Sequence, residues 1–365
     1  MNIHFFINIS QNGKTKTKKW LHESIIILLF LATTMIRSTS YHQLNRKSAE
    51  SKKDERLISS KLNSTVKGRK KDVIEKYLES EHTVLSASLT QLRHTILCEQ
   101  LPNPCPYRSY VWSTLLRAAP VESEWYSGVV SRGPSDVNEK IKNDVFRTFQ
   151  NNNNFWNNVN EDAFVRVLNA YAWCVDDDSV GYVQGMNVLA APIMYVAKSE
   201  PQAFSLIYRL FNTHLSRYVT KNLSGARDGV KLVEIVLKCV DVKLYNVLKQ
   251  RIASADMYAL PSVLTLSACT PSLDEVIKLW DFLFSFGVHL NIMAVVAQLC
   301  LMRDEIIASK NPMNILRQFK EVNAEKIIKL TLSITKIISD DLYELIVRHT
   351  YDDDVSRLID HYYVQ

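Results

Sequence analysis

Glycine and proline are scarce in this chain, nine and ten in 365 residues, so few positions are suited to break a helix or close a tight hairpin. No stretch alternates apolar and polar residues with period two between turn signals, which argues against a sheet-built domain. Six cysteines (Cys98, Cys105, Cys174, Cys239, Cys269 and Cys300) are scattered, with no Cys-x-x-Cys pair and no Cys/His spacing suited to zinc. Most of them sit among apolar neighbours and read as small buried hydrophobes of an intracellular protein. A Gly-x-Ser-x-Gly elbow is missing and the nine histidines do not cluster, so a hydrolytic nucleophile has no candidate. The Gly-x-x-x-x-Gly-Lys-Ser/Thr loop that cradles phosphates is also absent, and with it any sign of a nucleotide or metal cofactor of the chain's own.

What remains is helical. Hydrophobic residues make up 47% of the chain, enough for a large core in one domain or two small ones. Phe164, Val167, Leu168 and Tyr171 fall at i, i+3, i+4 and i+7, as do Val276, Leu279, Trp280 and Leu283, and Ile292, Val295, Val296 and Leu299. Val230, Val233, Leu237 and Val240 form another stripe, and Ile327, Leu330, Ile334, Ile337 and Ile338 a late one. The expectation is an all-α, multi-helix fold with long uninterrupted helices. The asparagine-rich stretch 151–158 reads as a solvated connection.

Charge is divided unevenly. Residues 1–80 hold sixteen Lys/Arg against seven Asp/Glu, so the remaining 285 carry a net −3 although the whole chain is +6. Residues 1–85 are expected to be a basic, disordered extension, either lineage-specific or an overlong gene model with Met35 as an internal start. Lys67-Gly-Arg69-Lys70-Lys71 lacks interleaved aromatics for stacking on bases and reads as a solvated run, so no nucleic-acid partner is expected. Residues 24–36 are apolar beneath a basic start, as in a signal peptide. They fall short of the ~20 residues a bilayer-spanning helix needs, so no stable membrane insertion is expected.

Two motifs carry chemistry. Residues 141–147 read Ile-Lys-Asn-Asp-Val-Phe-Arg, and 181–187 read Gly-Tyr-Val-Gln-Gly-Met-Asn. At about 100° per residue, Ile141, Val145 and Phe149 share an apolar face, and Arg147 points roughly 160° from its centre. Asp144 lies one turn back on the same side, placed to steady the guanidinium. Gly181 and Gly185 permit unusual backbone angles, so Gln184 is expected on a tight turn entering a helix. Each motif alone has an ordinary explanation, a helical ion pair or a glutamine satisfying its loop. Together they offer what a slow GTPase lacks: a cation over the developing γ-phosphate charge and an amide that orients the attacking water.

Ile141-x-x-Asp144-x-x-Arg147 followed by Tyr182-x-Gln184-Gly185 resembles the signature of TBC-domain GTPase-activating proteins. Arg108-Ser-Tyr-Val-Trp112 is similar to the opening of such domains, and Leu279-Trp280-Asp281-Phe282-Leu283-Phe284 to a later helix. Residues 86–96, 182–192 and 258–284 look most like the branch of the family that serves fungal mitotic-exit and septation checkpoints. The resemblance implies an all-helical TBC domain over residues 86–350, followed by a C-terminal tail, 351–365. It also implies an arginine finger at Arg147 and a glutamine finger at Gln184, with Asp144, Tyr182, Gly185, Arg108 and Trp112 in support. The implied partner is a small Ras-superfamily GTPase, which would bring its own GTP and Mg²⁺, together with a GAP co-subunit. The implied place is the cytoplasm, at the spindle pole body. One departure stands out: Ser262-Val263 occupies the place of an aromatic pair ahead of Leu264-Thr265-Leu266, which favours a specialised, partner-dependent activator. The alternative is a TBC scaffold that binds a GTPase or co-subunit without catalysis.

Overall fold

Asparagine, serine and aspartate set many of the helix boundaries that glycine and proline are too rare to set. Side chains of Asn152, Asn160, Ser199, Asp241, Asn323 and Ser339 each accept a backbone N–H from the first turn of the helix they open. Each such cap stabilises its helix by roughly 0.5–2 kcal/mol. The computed structural model describes residues 85–364 apart from 176–179, 253, 318–320 and 322. The basic extension, the apolar run 24–36 and the acidic stretch 176–178 therefore lie outside the described residues.

From the amino terminus, the helices are α1 (Leu85–Cys98), α2 (Arg108–Leu116), α3 (Ser123–Val130), α4 (Asn138–Phe146), α5 (Asn153–Asn158) and α6 (Glu161–Cys174). Next come α7 (Met186–Val196), α8 (Glu200–Arg209), α9 (Ser224–Val240), α10 (Val242–Arg251), α11 (Leu260–Leu264) and α12 (Leu273–Phe286). The series ends with α13 (Asn291–Leu301), α14 (Arg303–Ala308), α15 (Pro312–Leu316), α16 (Ala324–Ile334), α17 (Asp340–Arg348) and α18 (Val355–Val364). Among the described residues there is no strand, as the lack of period-two alternation implies.

Two packing centres organise these helices. α6 lies against α3, α4 and α8 and buries Phe164, Val167, Leu168 and Tyr171, the stripe read from the sequence. α13 is buried at every position from Asn291 to Cys300 and packs against α9, α11 and α16. α12 links the two sets: it packs against α16 of the second and against α2 and α7, which themselves pack on α8 of the first.

Several expectations need correction. The helices are shorter than the scarcity of glycine suggests; among the described residues the longest, α9, has 17 residues. The asparagine-rich stretch is no mere connection. Asn152 caps α5, which drives Phe155 into the core against Phe149, Trp156 and Phe164. The late stripe breaks at Ile334, leaving Ile337 half-exposed beyond the helix end. The cysteines are free, and only Cys300 is buried, so most are not core residues. Where the resemblance implies a tail, residues 355–364 form α18, which buries Val355 and Ile359 completely and packs on α9 and α17. Arg217 ties this end down. Its guanidinium donates to Asp353 (3.1 Å), to the His349 carbonyl (2.8 Å) and to Asp228 of α9 (2.9 Å).

Candidate functional site

α4 delivers Arg147. Ile141 and Val145 are fully buried, so they fix the helix against α6, and Arg147 occupies the C-cap position just after Phe146. The apolar face ends sooner than its spacing implies. Phe149 lies past the helix at a left-handed φ of 48° and reaches the core from a turn, whereas Phe146 is exposed. The Arg147 side chain is 64% exposed, against 8% for Asp144. Its Nη2 donates to Asp144 Oδ1 at 2.6 Å and its Nε to the Asn143 carbonyl at 3.1 Å, so the guanidinium is held at one edge.

The turn before α7 delivers Gln184, which is exposed between buried Val183 and Gly185. Gly185 carries the conformational demand here, with φ +103°. A Cβ there would also meet Leu264 Cδ2 at 3.0 Å, so the turn rests on the end of α11. Gly181 does not share this demand. Its φ is not left-handed, and it is small because a Cβ would come within 3.3 Å of Ala172 Cβ.

One buried network joins the two deliveries. The Tyr182 hydroxyl lies 3.1 Å from Asp144 Oδ2 and 3.2 Å from Asn187 Oδ1, and Asn187 Oδ1 also accepts the Gly185 N–H at 3.2 Å. Asn187 Nδ2 donates to the Asp144 carbonyl (3.1 Å) and to Thr148 Oγ1 (2.8 Å). Burial, reinforced by the Asp144 carboxylate, raises the Tyr182 phenol well above its ordinary pKa, so the hydroxyl remains a donor. Lys140 lies over its ring at 5.6 Å. Asp144 thus anchors Arg147 with one oxygen and the Gln184 turn, through Tyr182, with the other.

Arg108 and Trp112 lie elsewhere, in the core. Both donate to Asp281 of α12, Arg108 Nε at 3.2 Å and Trp112 Nε1 at 2.7 Å, and Trp112 meets Phe284 edge-on at 5.0 Å. Burial pushes the Asp281 carboxyl up to about 6, against the opposing pull of Arg108 and Trp112. The early Arg-x-x-x-Trp and late Trp-Asp motifs are therefore two halves of one buried clamp.

Sequence reasoning gave no role to Asn187, Thr148 or Leu264. Asn187 left a faint signal, an amide breaking the apolar run from Met186 to Ala191. Ser262 and Val263 are both buried in α11, whose Ser262 carbonyl accepts from Asn291 at 3.0 Å. α11 ends at Leu264, so Thr265 and Leu266 are not helical, and Leu266 takes a φ of 49°.

A family profile, the Rab-GTPase-TBC domain, matches residues 105–307. This chain belongs to that family. The chain is 40% identical over 300 residues to the Mitotic check point protein BUB2 of Saccharomyces cerevisiae, covering 77% of this chain and 98% of that one. It is equally 40% identical over 279 residues to Cell division control protein 16 of Schizosaccharomyces pombe, covering 75% and 92%. The crystal structure of the Ypt/Rab-GAP domain of Gyp1p superposes with a TM-score of 0.60 at 17% identity, covering 73% of this chain and 98% of that one. That likeness speaks for the fold alone. The all-α expectation and the TBC resemblance both hold. Among the described residues no helix is long and apolar enough to cross a membrane.

Proposed function

We propose that this TBC domain accelerates GTP hydrolysis by a Rab-like small GTPase, with Arg147 and Gln184 acting in trans. The observation that carries this reading is the shared Asp144–Tyr182–Asn187 network beneath two exposed side chains. Arg147 supplies the cation that offsets charge on the transferring phosphoryl group, and Gln184 supplies an amide to orient water. GTP and Mg²⁺ belong to the GTPase. The names of the yeast relatives support a role in a mitotic checkpoint and in cell-division control, which this reading assigns to mitotic exit and septation. In this reading the chain is the catalytic half of a two-component activator, cytoplasmic and recruited to the spindle pole body.

The test is single-turnover GTP hydrolysis by a panel of Rab-like and septation-type GTPases, with and without a candidate co-subunit. Arg147→Ala is expected to fold normally and lose ~10³–10⁵ of the stimulation, the usual worth of an arginine finger. Gln184→Ala is expected to lose most of it too. Full stimulation by Arg147→Ala would sink the mechanism. Binding without stimulation in the wild type would leave a scaffold instead.

A further inference from the structure

Two phenylalanines lie at the end of α4, and only one of them is used inside the chain. Phe149 turns back to meet Phe155 edge-on at 5.2 Å. Phe146, the last residue of the helix, is 63% exposed. Its neighbours one turn back are Lys142 and Asn143, with Glu139 beyond them, and all three are exposed and polar. Lys142 and Glu139 pair with each other at 3.4 Å, and the Asn143 carbonyl takes the Arg147 Nε. The helix face beneath the ring therefore offers it no apolar cover.

A single exposed apolar side chain is ordinary on a protein surface, so exposure alone says nothing. Position decides. Consecutive Cα atoms stand about 3.8 Å apart, so Phe146 is as near to Arg147 as the chain allows. A surface that brings a phosphate to the Arg147 guanidinium must also come down over the residue beside it. At about 100° per residue, Phe146 projects to one side of Arg147, and Asp144, which holds the Tyr182 hydroxyl, to the other. Gln184 belongs to the Tyr182 side. The three exposed side chains thus run in the order Gln184, Arg147, Phe146, two polar groups and then an apolar one at the flank.

We infer, on the GTPase reading above, that Phe146 is a specificity-determining contact: its ring packs on an apolar patch at the rim of the GTPase's nucleotide site. The ring lies outside the reacting groups, so its burial is the same in the ground state and the transition state. Such uniform binding lowers the concentration needed for half-saturation and leaves the saturated rate alone. Arg147 does the reverse. A GTPase with a charged side chain at that rim would have to bury it against the ring without a partner, so the contact also selects among GTPases.

The test is single-turnover GTP hydrolysis by each GTPase of the panel above, with the full chain in excess and its concentration varied. Phe146→Ser is expected to raise the half-saturating concentration roughly ten- to a hundredfold, the worth of burying one phenylalanine side chain, with the saturated rate unchanged. Phe146→Leu should keep most of the affinity. Because the ring is exposed, the urea midpoint of Phe146→Ser should match wild type. Arg147→Ala should instead lose the saturated rate. Unchanged half-saturation in Phe146→Ser, alongside a lost rate in Arg147→Ala, would overturn the inference and leave the GTPase reading intact. A lost saturated rate in Phe146→Ser at wild-type half-saturation would overturn it too, because the ring would then act by positioning Arg147. So would a Phe146→Ser variant that loses self-association or co-subunit binding yet saturates like wild type. Full stimulation by Arg147→Ala, or no stimulation of any GTPase by wild type, would remove the reading and the inference together.

Discussion

Tyr182 has one hydroxyl hydrogen and two acceptors within reach, Asp144 Oδ2 and Asn187 Oδ1. Tyr182→Phe removes that hydrogen while keeping the buried ring and the Lys140 contact. It leaves Asp144 paired with Arg147, and Asn187 with the Gly185 N–H. The expected cost is about 1.5–3 kcal/mol, the range for a hydrogen bond to a charged group. Asn187→Ala should cost more, because it strands the Gly185 N–H and also removes the donor to the Asp144 carbonyl and Thr148. Urea midpoints should therefore fall in the order wild type, Tyr182→Phe, Asn187→Ala. Both variants keep Arg147 and should lose less GTPase stimulation than Arg147→Ala. If Asn187→Ala proved as stable as Tyr182→Phe, the bridging role would be wrong. Arg147, Asp144 and Gln184 were legible in the sequence because helical spacing and a glycine-flanked turn fix them locally. Asn187 was not, since its donor contacts lie 39 and 43 residues away.

At the scale of elements, local composition misled where a single anchor decides the outcome. A run of asparagines favours turns, yet one of them caps α5 and a single phenylalanine buries it. Anchors also decide the carboxyl end. The domain bounds implied by the resemblance leave residues 351–365 as a tail, but Val355 and Ile359 fall on one buried face and Arg217 reaches Asp353 and Ser356. Burial of two such aliphatic side chains stabilises by roughly 3–6 kcal/mol in total. A domain typically holds only about 5–15 kcal/mol. Deleting residues 351–365 is therefore expected to leave the TBC domain unstable or insoluble. Ile359→Ala alone should cost about 2–5 kcal/mol, read from the shift in urea midpoint. A deletion variant with an unchanged midpoint would restore the description of this segment as a tail.

Over the whole molecule, the broad fold class was legible because most of the marked periodic stripes proved to be buried helix faces, whereas the groups that set pH behaviour were hidden by their isolation in the sequence. His289 and His349 are separated by sixty residues; His349 is fully buried and His289 partly so. His349 lies 2.8 Å from the Tyr218 hydroxyl, and His289 3.2 Å from that of Tyr343. Burial, with the charge of His349 adding to it, lowers His289 from 6.5 to about 3. Burial also lowers His349 to about 4, against its bond to the Ile346 carbonyl; Arg217 lowers it further and Asp228 opposes. A depressed base takes up its proton first in the unfolded chain. The stability these histidines confer is thus present above about pH 6.5 and is lost as pH falls toward 4 and then 3. Asp281 works the other way. Its folded value near 6 exceeds the ordinary 3.8, so its contribution is held at low pH and lost as pH rises through 6. Two histidines oppose one aspartate, and the net expectation is falling stability from pH 7 to pH 5. Each histidine should contribute up to ~1.4 kcal/mol per pH unit in that window. His349→Gln and His289→Gln should each flatten the dependence of the urea midpoint on pH by about one proton's worth. Slopes unchanged in both variants would mean that neither ring is held neutral by the fold, and that acid destabilisation has its source in other groups.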